Sequence, residues 1–199
     1  MKITQNELIR LGACQPGLDR FRKQTNDTDQ PVEIISLIGG RNTTADMLWL
    51  AETLLKQGYD AELQFKTLVE RCMIAAMHDI MTESDVVRGL WRSKIHNIIR
   101  FMEVGLYVEL RVELERFYIE VHGKLRDADD CDATRQIRGV RKLVADIYHF
   151  TKPHPSSPIN IQMTDTVKTV LKYFFVSIDG VFIDVEHDTE HKTLTHNKA

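Results

Sequence analysis

The chain lacks most of the features that announce a function. Its three cysteines, Cys14, Cys72 and Cys131, are an odd number, far apart and without a CxxC pair. That spacing argues against both a disulfide framework and a structural zinc site. No apolar run approaches the roughly 18 residues of a membrane span. The amphipathic start MKITQNELIRLGAC lacks the long apolar core of a secretory leader, so a cytoplasmic protein is expected. Charge of one sign is also missing. A formal net charge of −3 gives no global attraction to nucleic acid or to an anionic membrane.

What is present is an ordinary globular composition, 43% hydrophobic and 28% charged over 199 residues. That is enough for one domain with a real core. Helical periodicity dominates. Leu8, Leu11, Leu18 and Phe21 mark a helical segment over residues 4–23, with a kink or a new start at Pro16. Pro31 suits the first position of a helix over PVEIISLI, with Val32, Ile35 and Ile38 three apart. Thr43 and Asp46 form an approximate capping box ahead of the stripe Met47, Leu50, Ala51, Leu54 and Leu55, which ends at Gly58. Asp60 caps a helix through Met81, and Ser84 or Asp85 begins another.

Val104 to Leu114, VGLYVELRVEL, satisfies two periods at once. Its alternation suits a strand, whereas Leu106, Leu110, Leu114, Phe117 and Val121 form a helical stripe. A strand of about twenty residues is improbable, so a long helix continuing from upstream is expected. Asp130 or Asp132 then caps a helix through Phe150. TKPHPSSPIN, residues 151–160, reads as a linker between a helical domain, 1–150, and a C-terminal part, 151–199. In that part Val167, Val170, Leu171 and Phe174 suit a short helix. Phe174 to Val185 reads as a hairpin turning at Asp179-Gly180, before a polar tail from residue 187. The expected fold is therefore α+β: predominantly an α-helical bundle with a C-terminal β-hairpin.

Candidate chemistry is sparse. SLIGGRNTTADMLWLA resembles a phosphate loop, but its glycines are adjacent and are followed by Arg41-Asn42 rather than Lys-Ser/Thr. An elbow between helices is the better reading, with an anion held on the Thr43 amides as the alternative. The acidic run at Asp127, Asp129, Asp130 and Asp132 fails the calcium-loop pattern, since Cys131, Asp132 and Arg138 occupy its fifth, sixth and twelfth positions. His187 and His191 stand four apart, a spacing that can share a metal on a helix, but a solvated tail is favoured and no metal site or cofactor is assigned. Cys72 on its apolar stripe reads as a buried, inert thiol, and Cys14 lies beside such a stripe. Arg138, Arg141 and Lys142 share a helix face able to meet phosphates or an acidic partner.

Ala13, Cys14, Gly17, Leu18 and Phe21, followed by Asp46, Leu48, Trp49 and Leu50, form a pattern A-C-x-x-G-L-x-x-F … D-x-L-W-L. The first 60 or so residues thereby resemble a helical segment recurring in uncharacterised bacteriophage and bacterial proteins, some of them immunity-like. The resemblance implies a small helical packing unit and a phage or bacterial origin, and it carries no catalytic residue.

The function expected is that of a non-enzymatic cytoplasmic protein that binds a macromolecule, a host protein or a second copy of itself. Trp49, Trp91, Tyr107 and Phe175 are the aromatic residues expected to anchor a partner. Nucleic-acid binding through Arg138, Arg141 and Lys142 is the second reading. A metal- or anion-dependent enzyme, using the tail histidines or the Thr43 elbow, is the third.

Overall fold

A computed structural model describes residues 1–55, 60–126, 131–151 and 161–194, with side chains as far as Asp179 in the last segment. The order of elements is β1 (Lys2–Ile3), α1 (Gln5–Arg10), α2 (Gln15–Thr25), β2 (Val32–Glu33), a 3₁₀ turn (Ile34–Leu37), α3 (Thr44–Leu55), α4 (Ala61–Glu83), α5 (Asp85–Glu103), α6 (Tyr107–Arg126), α7 (Asp132–Phe150) and α8 (Asp165–Leu194). The chain divides into two compact units, residues 43–167, and residues 1–42 with the chain from Lys168 onward.

In the unit 43–167, α4 to α7 form a bundle in which each helix packs on the next and α7 closes against α4, with α3 laid on α4. The apolar stripes explain it. Val69, Cys72, Met73 and Met77 of α4 are fully buried, as are Val87 and Ile95 of α5, Leu110, Leu114, Phe117 and Val121 of α6, and Val140, Val144 and Ile147 of α7. Each such side chain stabilises the fold by about 1.5–3 kcal/mol through removal from water. Two of the helix starts foreseen in the sequence are capped as expected, whereas at α7 Cys131 holds the N-cap position and Asp132 falls in the first turn. Thr43 and Asp46 make a reciprocal box, Thr43 N donating to Asp46 Oδ2 at 2.7 Å and Asp46 N to Thr43 Oγ1 at 3.2 Å. Ser84 Oγ accepts from Val87 N at 3.1 Å. Asp60 precedes α4 in a left-handed conformation, φ 58°, without a side-chain cap.

Of Val104–Leu114, residues 107–114 are helical, but Val104, Gly105 and Leu106 form a turn that separates this helix from α5. Gly105 sits at φ 71°, Leu106 N donates to Phe101 O at 2.9 Å and Gly105 N to Met102 O at 3.2 Å. This bond pair closes α5 in a Schellman turn that only a glycine enters without strain.

In the other unit, β1 and β2 pair antiparallel with Lys2 opposite Glu33 and Ile3 opposite Val32. The helix expected over PVEIISLI is replaced by β2 and the 3₁₀ turn, and Ile34, Leu37 and Ile38 are buried while Ile35 is exposed. Pairing with the N-terminal strand takes up the backbone, Ile34 N donating to Met1 O at 3.0 Å.

The C-terminal β-hairpin is absent: Phe174–Val185 lies within α8. Val167, Leu171, Phe175 and Ile178 recur at helical spacing and all are buried, which commits the segment to one helix face and overrides the turn preference of Asp179-Gly180. Asp179 instead receives the N-terminal amino group of Met1 at 2.5 Å. Among the described residues the only sheet is the two-stranded β1–β2, so the fold is helical rather than α+β with a C-terminal hairpin. No helix among them is long and apolar enough to cross a membrane.

Candidate functional site

The unusual element is α6, which is apolar on two opposite sides. Leu110, Leu114, Phe117 and Val121 recur at four, three and four residues and are wholly buried. At roughly 100° per residue, Val108, Val112 and Ile119 fall on the reverse side. These three are 76%, 45% and 71% exposed. The alternation seen in the sequence is the sum of these two stripes, because residues two apart on a helix point about 200° apart.

Beside the outward stripe runs a groove of about 350 Å³ between α6 and α7. Leu114, Tyr118 and Ile119 line it from α6, and Ala145, Tyr148 and His149 from α7. The polar groups at its edge are fixed. The Tyr148 hydroxyl donates to Glu115 Oε1 at 2.7 Å, and the Arg111 guanidinium lies 5.8 Å from the Tyr148 ring centroid. Tyr118 and His122, one turn apart, stack with rings 6.3 Å apart and within 3° of parallel. The result is an apolar strip with ordered aromatic rings on one flank, a surface of the kind that docks another element.

The four aromatic residues singled out in the sequence separate. Trp91 is 1% exposed. Its indole donates to Glu120 Oε1 at 2.7 Å and its ring meets Phe117 edge-on at 5.5 Å. Phe175 is also 1% exposed and meets Phe174 edge-on at 5.4 Å. Both consolidate the interior and present nothing to a partner. Trp49 is half-buried on α3. Tyr107 is half-buried too, its hydroxyl donating to Glu70 while Lys66 Nζ stands 4.2 Å above its ring. Burial, reinforced by the Glu70 carboxylate, raises the Tyr107 pKa and keeps its phenol protonated.

The basic trio on α7 does not form one open face. Arg138 and Lys142 are exposed but Arg141 is half-buried. Lys142 lines a small cavity of about 90 Å³ together with Glu83, Asp146 and Gln162. Burial raises the Asp146 pKa there, with Lys142 and then His149 opposing the shift.

The elbow after Gly39 is occupied by the protein's own oxygens. Gln24 Oε1 accepts from Arg41 N at 2.7 Å, Asn42 N at 3.3 Å and Asn42 Nδ2 at 2.8 Å. Gly40 leaves room for that amide, since a Cβ there would stand 2.3 Å from Gln24 Cδ. Thr43 N is taken by Asp46, as above. An incoming phosphate would meet acceptors instead of free donors, so these amides form no anion cradle.

Among the described residues no group of three His, Cys, Asp or Glu side chains is placed to hold a metal. His187 and His191 fall outside the residues whose side chains are described, as do Asp127, Asp129 and Asp130. Cys72 is buried and its pKa is pushed up to about 12 by desolvation, so the thiol is inert. Cys14 and Cys131 are exposed. Comparison with protein-family models, curated proteins and solved structures finds no match.

Proposed function

We propose that this is a non-enzymatic protein-binding protein that receives a partner's amphipathic helix on the outward face of α6. The observation that carries the reading is the second apolar stripe, Val108, Val112 and Ile119, standing in solvent opposite a complete core stripe. Burial of α6 in its own bundle is already satisfied by Leu110, Leu114, Phe117 and Val121, so the outward valines and isoleucine add nothing to that packing. Exposed apolar side chains in register along a helix, next to an aromatic-lined groove, suit helix-on-helix recognition.

The cellular setting, a host protein met in the cytoplasm of a phage-carrying bacterium, rests on the resemblance of the first 60 or so residues. Nucleic-acid binding is the weaker reading, because Lys142 stands beside Asp146 and Arg141 is half-buried. The test is affinity capture from host lysate with the protein and with its Val112→Asp and Ile119→Asp variants. Proteins retained by the parent are expected to be lost from both variants while circular dichroism is unchanged. Recovery of the same lysate proteins in equal amount by all three would refute the reading.

A further inference from the structure

The α6 face is also complementary to itself. Two charged residues flank the outward stripe on the side away from the groove, Glu109 near its start and Arg116 near its end, and both are exposed. If two copies of α6 are laid face to face and antiparallel, Val108 of one stands over Ile119 of the other, and the reverse. Val112 then meets the aliphatic stem of Glu115, whose carboxylate is drawn aside to the Tyr148 hydroxyl. In that register Glu109 of each copy lies beside Arg116 of the other, giving two symmetric ion pairs. In a parallel twofold arrangement the Glu109–Arg116 flanks of the two copies would fall on opposite sides of the seam, so these two ion pairs form only in the antiparallel pairing.

We infer that the helix received by α6 is α6 of a second copy of this chain, docked antiparallel about a twofold axis. The inference rests on the reading of α6 as an interaction face and names its occupant. Each residue of such a contact is used twice, as an isologous interface requires. The stripe from Val108 to Ile119 spans about 16 Å of helix. Two such faces with their groove edges fall at the small end of specific interfaces, so the dimer is expected to be reversible, with a Kd of about micromolar.

Sedimentation equilibrium over a concentration series tests this. The parent is expected to pass from monomer to dimer, and Ile119→Asp to stay monomeric with an unchanged circular dichroism spectrum. Glu109→Arg alone sets Arg against Arg, and Arg116→Glu alone sets Glu against Glu. Each should weaken association about tenfold. Mixing the two single variants in equal amounts restores both opposite-charge pairs and should restore dimerisation. A parent that stays monomeric, a dimer that survives Ile119→Asp, or a mixture no tighter than its components would overturn the inference. A monomeric parent whose lysate partners are still lost from Ile119→Asp would overturn self-pairing and leave the interaction reading standing.

Discussion

Val108 and Leu110 stand two positions apart on α6 and face opposite ways: Val108 is 76% exposed and Leu110 is wholly buried. A helix that is apolar on both sides has one side more than its own bundle consumes. The consequences of that division can be measured separately from those of the core.

On the outward side, Val108→Ser and Ile119→Ser are expected to change unfolding free energy by less than about 0.5 kcal/mol, because these side chains are solvated in the folded chain. Leu114→Ala, on the inward side, should cost about 2–5 kcal/mol through the cavity it leaves. Urea denaturation of the three variants at a concentration where the protein is monomeric measures the contrast.

Glu120 links α6 to α5 through charge as well as packing. It receives the Trp91 indole and the Lys94 ammonium, and Lys94 above all holds its carboxyl below the usual glutamate range, against a smaller opposing effect of burial. A depressed carboxyl stabilises the fold above its unfolded pKa, and that contribution is lost as pH falls through the folded value. The parent should therefore exceed Glu120→Gln in stability at neutral pH, with the difference shrinking below the ordinary glutamate range. Lys94 and Glu120 side chains are 35% and 37% exposed, so the difference stays under about 1 kcal/mol and falls with added salt. Thermal melts from pH 7 down to pH 3 at two ionic strengths give the measurement.

Much of the helical layout was legible because helix starts are local. Thr43 with Asp46, and Ser84 with the amide of Val87, need only residues three apart. What was not legible depended on distant partners. PVEIISLI has the first-turn residues of a helix, yet the N-terminal strand claims Val32 and Glu33. Asp179-Gly180 has the chemistry of a tight turn, yet the buried series Val167, Leu171, Phe175 and Ile178 makes the segment helical. At Gly105 the run VGLYVEL hides a helix end inside an apolar stretch. Burial of Trp91 and Phe175 could not be foreseen either, because spacing reveals a stripe without saying what covers it. For α6, the coexistence of a two-residue and a four-residue period was itself the sign of two stripes.

The Gln24–Gly40 relationship predicts a coupling. Gln24→Ala frees the amides of Arg41 and Asn42 and should cost about 1–3 kcal/mol. Gly40→Ala drives a methyl into the Gln24 amide and should destabilise the parent, but it should cost much less in the Gln24→Ala background. A double-mutant cycle by urea denaturation checks the sign. Additive losses would mean that the glycine is not there to admit the glutamine.

The thiols should react in a set order. Cys131 is exposed, and its hydrogen bonds with the Thr134 hydroxyl and then the Thr134 backbone N–H hold its pKa below the usual thiol value. It should be alkylated first at neutral pH. Cys72, buried and pushed up to about 12, should remain unmodified until the protein is unfolded. Peptide mapping after timed iodoacetamide treatment gives the order.

The outward face of α6 is tested most directly by placing a photo-crosslinking amino acid at Val112, and at exposed Glu62 of α4 as a control. On irradiation in cell lysate, Val112 is expected to yield discrete covalent protein adducts, whether with a second copy or with another protein, that Ile119→Asp abolishes and position 62 does not give. Absence of adducts at position 112, or the same adducts from position 62, would contradict the assignment of this face as the binding surface.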